Sequence, residues 1–298
     1  MSPADIVAIV NPLSGAGATA DAASRRVALL QSKFTAANVI GAVHLTERAG
    51  HAADLARAAC ASGARMVIAW GGDGTINEIG TALAGTDVVM AIVPAGSGNG
   101  FASEIGVPAA PAAAIDVALH GRSRPIDAGE LDGRLFFNIA GIGFDAVVAE
   151  QFNLQTLGRR GMGPYVRIGL RECFRYRAAR YRIVLDGEEL VTEALLIAFA
   201  NGREYGNRIR LAPHARMDDG KLEMMVVEDR APLSRLWAGR HLALGTADKA
   251  PRITARSIES ARIETDGDML YHLDGEIGRA RGSISVRIRP KALIVRVP

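Results

Sequence analysis

The sequence of 298 residues is poor in cysteine, lysine and aromatic side chains. Its two cysteines, Cys60 and Cys173, lie far apart, with no CxxC pair and no histidine at metal-ligand spacing, which argues against a disulfide framework and a structural zinc site. No apolar run approaches the ~20 residues of a membrane span. No basic leader precedes the short apolar run at 6–10, so no signal peptide is predicted. We expect a cytoplasmic protein without an integral membrane anchor.

Lysine is scarce because arginine carries nearly all of the basic charge: only four of the 35 basic residues are lysines. The formal net charge is +3, yet segment 158–182 alone has eight arginines and one acidic residue, a net charge of +7. A content of 49% apolar and 22% charged residues is typical of a folded globular chain and excludes the disordered and collagen-like classes. Any basic partner surface is therefore expected in the second part of the chain.

The first 126 residues alternate short β-branched runs with alanine-rich stretches, a pattern typical of a parallel α/β sheet. Buried strands are predicted at 5–10, 38–43, 66–70 and 88–93. Helices are predicted between them, at 20–34, 50–62 and 75–85.

From residue 124 the pattern changes to that of antiparallel strands. Two hairpins are predicted around the Asp-Gly dipeptides 132–133 and 186–187. Further strands are predicted at 222–228, 258–265, 269–276, 283–288 and 292–297. The economical interpretation is a second, β-rich domain over 127–288.

A glycine-containing turn, 11–15 (NPLSG), follows the first predicted strand. Residues 15–20 match the GxGxxA form of a dinucleotide fingerprint, which would indicate a dehydrogenase or a non-catalytic dinucleotide-binding module. The acidic residue that this fingerprint needs after the second strand is absent, because that strand runs into His44, Leu45 and Thr46. A phosphate-binding loop explains the same glycines, and a plain tight turn is the third alternative.

A second glycine turn, 71–74 (GGDG), lies between the third strand and a helix. Closely spaced glycines let a ligand approach the backbone, and the start of a helix supplies free N–H donors and the positive end of a dipole, which suits phosphate. A carboxylate there repels phosphate unless a cation stands between them, so Asp73 implies Mg²⁺ carried with a nucleotide. The alternative is that Asp73 or Thr75 only caps the helix.

A third glycine turn, 94–102 (PAGSGNGFA), follows the fourth strand. Turns at the carboxyl ends of three strands converge on one crevice, which is where open α/β sheets bind ligands. The sequence therefore predicts a site for a nucleotide phosphate at this edge of the first domain.

These three turns, the second extended to 71–78 (GGDGTINE), resemble in order and spacing the nucleotide-binding motifs of the diacylglycerol kinase catalytic family, which includes bacterial lipid kinases and sphingosine and ceramide kinases. The resemblance runs almost end to end. It continues at 126–129, 137–146, 212–222 and 273–276. GGDGT alone would also fit NAD kinases and phosphofructokinases, whereas the first turn, the GSGNG of the third turn and the late Asp-Gly-Glu narrow the match to lipid kinases.

The resemblance implies a lipid kinase that uses ATP and Mg²⁺ to phosphorylate a hydroxyl group of a membrane lipid, such as diacylglycerol, a sphingosine-like lipid or phosphatidylglycerol. The expected fold is a three-layer α/β nucleotide-binding domain over 1–126, like that of phosphofructokinases and NAD kinases, followed by a β-sandwich-like lipid-acceptor domain over 127–288. The final strand, within 289–298, is expected to return to the first domain, and ATP to bind in the cleft between the domains. An NAD kinase acting on a soluble dinucleotide and a nicotinamide-dependent dehydrogenase remain the alternatives.

Residues that match the family's ATP-binding positions lie in the three turns and close to them. They are Asn11, Ser14, Gly15, Thr46, Gly72, Asp73, Gly74, Thr75, Glu78 and Ser97. Their neighbours complete the candidate nucleotide site: Pro12, Gly71, Asn77, Gly96 and Asn99.

The resemblance also implies catalytic residues. Glu276 matches the acid proposed to deprotonate the lipid hydroxyl, and phosphoryl transfer otherwise needs mainly positioning and charge neutralisation. Asp73, Asp127 and Asp274 match acids that hold a water network around the catalytic Mg²⁺. From the residues alone, Asp274 and Gly275 could equally form only a turn.

A separate structural Mg²⁺ is implied at Arg216, Asp219 and Lys221. Only Asp219 offers a side-chain oxygen, so Arg216 and Lys221 could ligate a cation only through main-chain carbonyl groups.

Two of the turns depart from the family's pattern. Ala16 stands where many relatives carry lysine, so a cationic phosphate contact must come from elsewhere or is absent. Ser97 and Gly100 stand where many bacterial members carry Thr and Asp, which is closer to sphingosine and ceramide kinases.

The basic segment 158–182 carries Arg167, Arg171 and Arg175 at helical spacing beside apolar residues. Such a helix can lie on an anionic membrane, which would make the protein peripheral at the inner membrane surface. A helix packed on the sandwich with a solvated arginine face explains the pattern at least as well. The aromatic residues are not spaced as a stacking platform, which argues against nucleic acid, and a homodimer is left open.

Overall fold

The structure, a computed structural model, describes residues 5–15, 20–96, 98–155, 162–185, 187–204, 212–229, 235 and 253–298. The chain divides into two compact units. The N-terminal unit comprises Met1–Ile126 and Lys291–Pro298, and the second unit comprises Asp127–Pro290. The chain passes from the first unit to the second within strand β5 (Arg122–Leu131) and returns within strand β13 (Glu276–Val297).

The N-terminal unit is built on a parallel sheet. Its own strands are β1 Ile6–Val10, β2 Gly41–Leu45, β3 Met66–Gly71 and β4 Val89–Pro94. They lie in the order β2, β1, β3, β4, and the C-terminal part of β13 adds to β4 in parallel, with Ile294 opposite Val89. β1 and β3 are buried along their whole length, as apolar strands of a parallel sheet usually are.

Helices of the N-terminal unit follow each of these strands. Those in the described residues are α1 Ala20–Ala36, α2 His51–Ala61, α3 Asp73–Leu83, α4 Gly100–Glu104 and α5 Pro111–His120. Helix α2 buries Ala52, Ala56 and Ala59, which form one stripe at i, i+4 and i+7. The apolar stripe accounts for this helix, since it can only be buried by packing on the rest of the unit.

The second unit is dominated by antiparallel strands. Besides parts of β5 and β13, its described strands are β6 Arg134–Phe136, β7 Ile139–Gly143, β8 Ala179–Leu185, β9 Glu188–Ala200, β10 Leu222–Glu228, β11 Ile253–Ile258 and β12 Ser260–Leu273. They run in the order β11, β10, β9, β7, β12, β13, and β8 pairs with both β9 and β12. Helices α6 Phe144–Gln155 and α7 Met162–Cys173 follow β7 and contact each other.

The central strands of the second unit are buried on both faces. Along β9, Ile197 and Phe199 join one apolar cluster, whereas Leu196 and Ala198 join another. Successive side chains of a strand point to opposite faces, so the uninterrupted apolar run of β9 serves two cores. An α/β unit followed by a β-rich unit is the fold class that the sequence predicts.

Most predicted boundaries lie within two residues of the observed ones, and the larger differences are in β2 and β12. β2 begins at Gly41 rather than at residue 38, because Asn38 has a positive φ of 55° and belongs to the turn after α1. The strands predicted on either side of Gly267 form the single strand β12, whose register against β13 shifts between Glu264 and Asp268. This irregularity lets one strand continue through polar residues that resemble a loop in the sequence.

Three further features complete the comparison with the predicted elements. The runs predicted at 283–288 and 292–297 both lie in β13. Helix α6 is not predicted, because its sequence follows directly on a buried strand. The predicted hairpin at 186–187 is formed by β8 and β9, although residue 186 lies outside the described residues. Within the described part of the chain, no helix has both the length and the apolar character needed to cross a membrane.

Candidate active site

The three glycine turns follow neighbouring strands of the N-terminal sheet. β1 pairs with β3 in parallel, with Val10 opposite Trp70, and β3 pairs with β4, with Gly71 opposite Pro94. Carboxyl ends of parallel strands share one edge of a sheet. The structure therefore brings the turns after β1, β3 and β4 together at one edge of the N-terminal unit.

The first turn is fastened to the second by a side-chain contact. Asn11 Nδ2 donates a hydrogen bond to Thr75 Oγ1 at 2.9 Å, and Asn11 Oδ1 accepts one from the N–H of Leu13 at 2.9 Å, across Pro12. Ser14 Oγ donates to the Asn11 carbonyl at 2.9 Å, and Ser14 is buried. These bonds fix the shape of the turn, with Asn11 as the residue that links two turns.

The second turn is shaped so that Asp73 opens helix α3. The N-cap residue of this helix is Gly72, whose backbone is extended and which has no side chain to cap the helix. Neither Asp73 nor Thr75 is therefore the N-cap residue. Instead, Asp73 Oδ2 accepts a hydrogen bond from the N–H of Asn99, in the third turn, at 3.1 Å. Gly74 lies in the first turn of α3, close to the free N–H groups of the helix start.

The third turn is locked by Asn99 and packed against the second. Asn99 has a positive φ of 49°, its Oδ1 accepts the N–H of Gly96 at 2.8 Å, and its Nδ2 donates to the Gly96 carbonyl at 2.7 Å. A Cβ added at Gly96 would stand 2.9 Å from the Cα of Gly72, so glycine is needed where the two backbones approach. Ser97, also predicted to bind ATP, lies outside the described residues.

Glu78, Thr46 and Asn77 lie next to these turns rather than in them. Glu78 Oε1 accepts the N–H of Gly50 at 3.0 Å, which ties helix α3 to the loop after β2. In the same loop, the N–H of Thr46 donates to the Val10 carbonyl at 2.9 Å. Asn77 Oδ1 accepts a hydrogen bond at 3.4 Å from Thr81 Oγ1, one turn further along α3. Glu78 is therefore placed to position the loop that carries Thr46.

The sequence analysis misses Arg26, which lies behind the first turn. From helix α1, its guanidinium donates to the carbonyl oxygens of Asn11 at 2.7 Å and Ser14 at 2.6 Å, and it stands 5.6 Å from the centroid of the Trp70 ring. Partial burial lowers the pKa of Arg26 from its ordinary value. No local pattern marks this arginine, which is one of many on the chain.

Asp127 lies in the second unit and is almost fully buried. Its Oδ2 accepts the N–H of Gly220 at 2.7 Å, and its own N–H donates to the Met217 carbonyl at 2.6 Å. Asp127 is thereby fastened to the loop that carries Arg216, Asp219 and Lys221, the residues predicted to hold a structural cation. Two carboxylates lie in this loop: Asp218 contacts the Arg216 guanidinium at 3.4 Å, and Asp219 accepts the N–H of Lys221 at 3.1 Å.

The carboxylate of Asp274 binds the main chain between β6 and β7. Its Oδ2 accepts the N–H of Phe137 at 2.8 Å, and its Oδ1 accepts those of Asn138 at 3.0 Å and Ile139 at 2.9 Å. The N–H of Asp274 donates back to the Ile139 carbonyl at 2.9 Å. With a φ of 49°, Asp274 also begins the two-residue turn from β12 to β13, so it is both a turn residue and a clamp.

Two buried asparagines, which the sequence analysis misses, brace the same region. Asn201, just after β9, donates to the carbonyl oxygens of Asp127 at 2.9 Å and Phe137 at 2.8 Å. Asn138 donates to the Glu204 carbonyl at 2.8 Å. The Oδ1 atoms of Asn138 and Asn201 are buried and accept no hydrogen bond from the described residues. A polar Asn-Gly pair ending the apolar run of β9 is the signal that could have drawn attention to Asn201.

Glu276 emerges directly after the turn that Asp274 begins. Its side chain is 45% exposed and lies 3.6 Å from the Arg134 guanidinium. The carbonyl of Gly275, inside the turn, accepts a bond from Asn153 of α6 at 3.1 Å. Glu276 is therefore an accessible carboxylate on a turn held from two sides.

A buried pair of titratable side chains supports strand β12 two residues before Asp274. His272 Nε2 lies 3.2 Å from Asp145 Oδ2, and both residues are buried. A Cβ at Gly141 would overlap the Asp145 carboxylate, so glycine is required beside this pair. Burial raises the pKa of the nearby Tyr176 phenol well above its ordinary value, which keeps that group neutral.

Asp73 is the carboxylate that best fits a nucleotide-bound Mg²⁺. It stands in a cradle of glycines, and a Cβ added at Gly98 would fill the space 2.9 Å from Asp73 Oδ2. A carboxylate beside free helix N–H groups provides the hard oxygen ligand that Mg²⁺ prefers together with donors for phosphate. For the second predicted site, no cluster of three or more His, Cys, Asp or Glu side chains that could hold a metal occurs in the described parts of the chain. A cation near Asp219 would need main-chain carbonyl ligands.

Helix α7 exposes apolar and basic side chains on the same face. Leu170 is 51% exposed and Phe174, just past the helix end, is 62% exposed, whereas Ile168 and Cys173 are buried. Arg167 and the arginines four and eight residues further on are exposed as well. Residues 158–161 of the predicted basic segment lie outside the described residues.

The C-terminal end of α7 is held by a nearly buried ion pair. Arg235 donates to the carbonyl oxygens of Cys173 at 2.6 Å and Tyr176 at 2.9 Å, and it binds both carboxylate oxygens of Asp229, at 2.8 and 2.6 Å. Hydrogen bonding to Asp229 raises the pKa of Arg235. The pair thereby satisfies carbonyl groups at the end of the helix that have no partner within it.

Comparison with known proteins finds matches along almost the whole chain. Residues 5–131 match the family model described as diacylglycerol kinase catalytic domain, and residues 138–297 match that described as YegS C-terminal NAD kinase beta sandwich-like domain. A diacylglycerol kinase of Mycobacterium tuberculosis (strain ATCC 25618 / H37Rv) is 32% identical, with 96% of this chain and 95% of that protein covered. A probable lipid kinase YegS-like of Serratia proteamaculans (strain 568) is 30% identical, with 99% and 95% covered. The crystal structure of a putative diacylglycerol kinase from Bacillus anthracis str. Sterne superposes with a TM-score of 0.81 at 24% identity, with 99% and 97% covered, which confirms the fold.

Proposed function

Because the chain belongs to the diacylglycerol kinase catalytic family and is a lipid kinase, we propose that it transfers the γ-phosphoryl group of ATP, with Mg²⁺, to a hydroxyl group of a membrane lipid. The observation that carries this proposal is the contact of Asp73 with the third glycine turn at the start of α3. It puts one carboxylate among glycine backbones and free helix N–H groups, where a polyphosphate with its cation fits and a bare anion does not.

The nucleotide phosphates are assigned to the three turns of the N-terminal unit. Main-chain N–H groups of the glycine turns and of the first turn of α3 face the anion, and the Asn11 to Thr75 bond keeps the first two turns in register. The residues proposed to contact ATP are Asn11, Pro12, Ser14, Gly15, Thr46, Gly71, Gly72, Asp73, Gly74, Thr75, Asn77, Glu78, Gly96, Ser97 and Asn99. Glu78 is proposed to contribute indirectly, by accepting the N–H of Gly50 and so positioning the loop after β2 that carries Thr46.

Asp73 and Asp127 are the carboxylates proposed to hold the catalytic Mg²⁺ through its water shell. When bound, the cation would neutralise negative charge on the transferring phosphoryl group. Asp274 already accepts three main-chain N–H bonds, which leaves its oxygens the least available of the carboxylates that the family resemblance assigns to this network. A second cation at Asp219, with carbonyl oxygens of Arg216 and Lys221, is part of the same proposal.

Glu276 is the proposed base. It accepts the proton of the lipid hydroxyl as the bond from that oxygen to the γ-phosphorus forms and the bond from the γ-phosphorus to the leaving ADP oxygen breaks. Its exposed carboxylate suits a lipid acceptor that must bind and dissociate, and the Arg134 guanidinium lies 3.6 Å from it.

A lipid panel tests this function against the alternatives. Wild-type protein is incubated with radiolabelled ATP, Mg²⁺ and mixed micelles containing diacylglycerol, sphingosine, ceramide or phosphatidylglycerol, and in parallel with NAD without lipid. We expect label in at least one lipid and none in NAD. Label in NAD alone would establish the NAD kinase alternative, and nicotinamide binding without ATP consumption would indicate a dinucleotide-binding module.

The exposed face of α7 is proposed to contact the membrane that holds the acceptor. An arginine-coated helix packed on the unit would bury its apolar side chains, yet Leu170 and Phe174 stand exposed among Arg167, Arg171 and Arg175. Leu154 on the contacting helix α6 is 66% exposed, so apolar side chains extend over both helices. Arginines drawn to anionic headgroups and apolar side chains at the acyl boundary are the two attractions that bind an interfacial helix.

Vesicle sedimentation tests this contact. The double variant Leu170→Ser, Phe174→Ser should lose binding to vesicles of phosphatidylglycerol and phosphatidylcholine, whereas Val191→Ser, which changes an apolar side chain 46% exposed elsewhere in the unit, should bind like wild type. Equal binding by the double variant and wild type would contradict the proposal. A dimer in light scattering that the same double substitution dissolves would assign the face to a second copy instead.

A further inference from the structure

Arg26 carries a partly buried positive charge directly behind the first turn. Its NH1 donates to the Asn11 carbonyl and, at 3.4 Å, to Ser14 Oγ, and its NH2 donates to the Ser14 carbonyl. A Cβ added at Gly15 would stand 3.6 Å from this NH2, so the guanidinium lies beside the glycine of the turn. The Trp70 ring under the guanidinium holds it in this orientation through a cation–π contact.

No carboxylate among the described residues neutralises this charge. Every bond of Arg26 goes to a carbonyl or hydroxyl oxygen, and burial is the sole cause that lowers its pKa. The neighbouring Arg25 is different, because it is exposed and pairs with Asp21. Arg235, which donates to main-chain carbonyl groups at the end of α7, is paired with Asp229, whereas Arg296, which donates to the Ala118 carbonyl, resembles Arg26 in having only carbonyl and hydroxyl partners among the described residues. Partial burial of a cation that has no counter-ion costs free energy, which a bound anion would offset, and arginine stays protonated at neutral pH.

The direction of the bonds indicates where that anion lies. Arg26 binds the carbonyl groups at both ends of the turn, 11 and 14, and so holds them on the helix α1 side of the turn. In an anion-binding turn, the carbonyl groups face away from the ligand and the N–H groups face it. The turn supplies no cationic side chain of its own, since residues 11–20 contain neither lysine nor arginine.

We propose that Arg26 is a positioning residue of the nucleotide site: it fixes the carbonyl side of the first turn and supplies the positive charge that attracts the terminal phosphates of a nucleoside polyphosphate. The inference rests on the proposed function, because it assumes that the turn receives those phosphates. Under this proposal, helix α1 contributes a residue to the nucleotide site in addition to the three glycine turns.

The test compares nucleotides that differ only in phosphate number. Binding of ATP, ADP and AMP is measured by calorimetry for wild type, Arg26→Gln and the matched control Arg25→Gln on the same helix. Loss of a nearby charge should weaken ATP, with its larger charge, by about tenfold or more and AMP by less than about threefold. Arg25→Gln should leave both affinities unchanged, because that side chain is exposed and already paired.

Two results would overturn the inference: an equal loss of affinity for ATP and AMP, or no loss for either. Thermal unfolding of each variant without nucleotide shows whether it folds. If Arg26→Gln does not fold, Arg26→Lys is measured instead, because lysine keeps the positive charge and should preserve the preference for ATP over AMP. Loss of that preference in a folded Arg26→Lys variant would contradict the proposal that the charge attracts the phosphates. Wild type that binds no ATP at all would instead refute the proposed function.

Discussion

Replacing Asp274 by asparagine separates its role as a main-chain clamp from a role in the Mg²⁺ water network. The carboxylate accepts three N–H bonds from residues 137–139, two at Oδ1 and one at Oδ2. In Asp274→Asn, the best orientation keeps the amide oxygen on the N–H groups of Asn138 and Ile139. The new NH₂ group then faces the N–H of Phe137, donor against donor.

The size of the effect follows from these contacts. A hydrogen bond to a charged group is worth roughly 1.5 to 3 kcal/mol, and the remaining two bonds lose the assistance of the charge. With one bond lost and one N–H left opposed, the free energy of unfolding should fall by about 2 to 4 kcal/mol. The turn that presents Glu276 loosens with it, so we expect kcat to fall by about tenfold or more while the half-saturating Mg²⁺ concentration stays the same.

Urea unfolding and a Mg²⁺ titration of lipid phosphorylation check both parts. The matched control is Asp268→Asn on the same strand, where the carboxylate is exposed and lies 3.9 Å from the equally exposed Arg281. That change should alter neither stability nor kcat. Unchanged stability of Asp274→Asn together with a raised Mg²⁺ requirement would refute the clamp and restore this residue to the water network.

Three smaller substitutions test other contacts of the account. Gly98→Ala places a Cβ 2.9 Å from Asp73 Oδ2 and should lower kcat by about tenfold with little loss of stability. The control Gly267→Ala, where the added atom has open space, should change neither kcat nor stability. Equal activity of the two variants would argue against the need for glycine beside Asp73. Arg235→Gln should lower the free energy of unfolding by about 3 kcal/mol or more, because it leaves a nearly buried carboxylate unpaired, and a smaller change in urea unfolding would contradict the cap. Glu276→Gln should remove the acid limb of the pH profile of kcat/KM along with most of the activity, and retention of that limb would exclude it as the base.

The parts of the site that the sequence predicts are those with a local signal. Glycines between a buried strand and the helix that follows it define each of the three turns, because few other structures need that pattern. The role of Asp73 as more than a helix cap follows from the same spacing, and the structure places the N-cap at Gly72. The overall class, α/β followed by β-rich, is likewise visible in the change of hydrophobic period near residue 127.

The parts that the sequence does not predict depend on contacts between distant residues. Asn201 reaches Asp127 across 74 positions of the chain, and Arg26 is marked only by the loop it meets after folding. Leu170 and Cys173 carry similar apolar signals on α7, yet the first is exposed and the second buried, because the packing of the helix on the rest of the unit decides which side is covered. Hydrophobic periodicity predicts that such a helix forms, but not which of its faces packs against the unit.

Phosphorylation of lipid by the Asp73→Asn variant tests the central claim most directly. The amide oxygen of asparagine can still accept the Asn99 N–H, so the third turn and the fold should persist, while the negative charge proposed to hold the cation is gone. With radiolabelled ATP, Mg²⁺ and the lipid that the wild type phosphorylates, we predict label at background level and an unchanged melting temperature. Full activity of this variant would contradict the account.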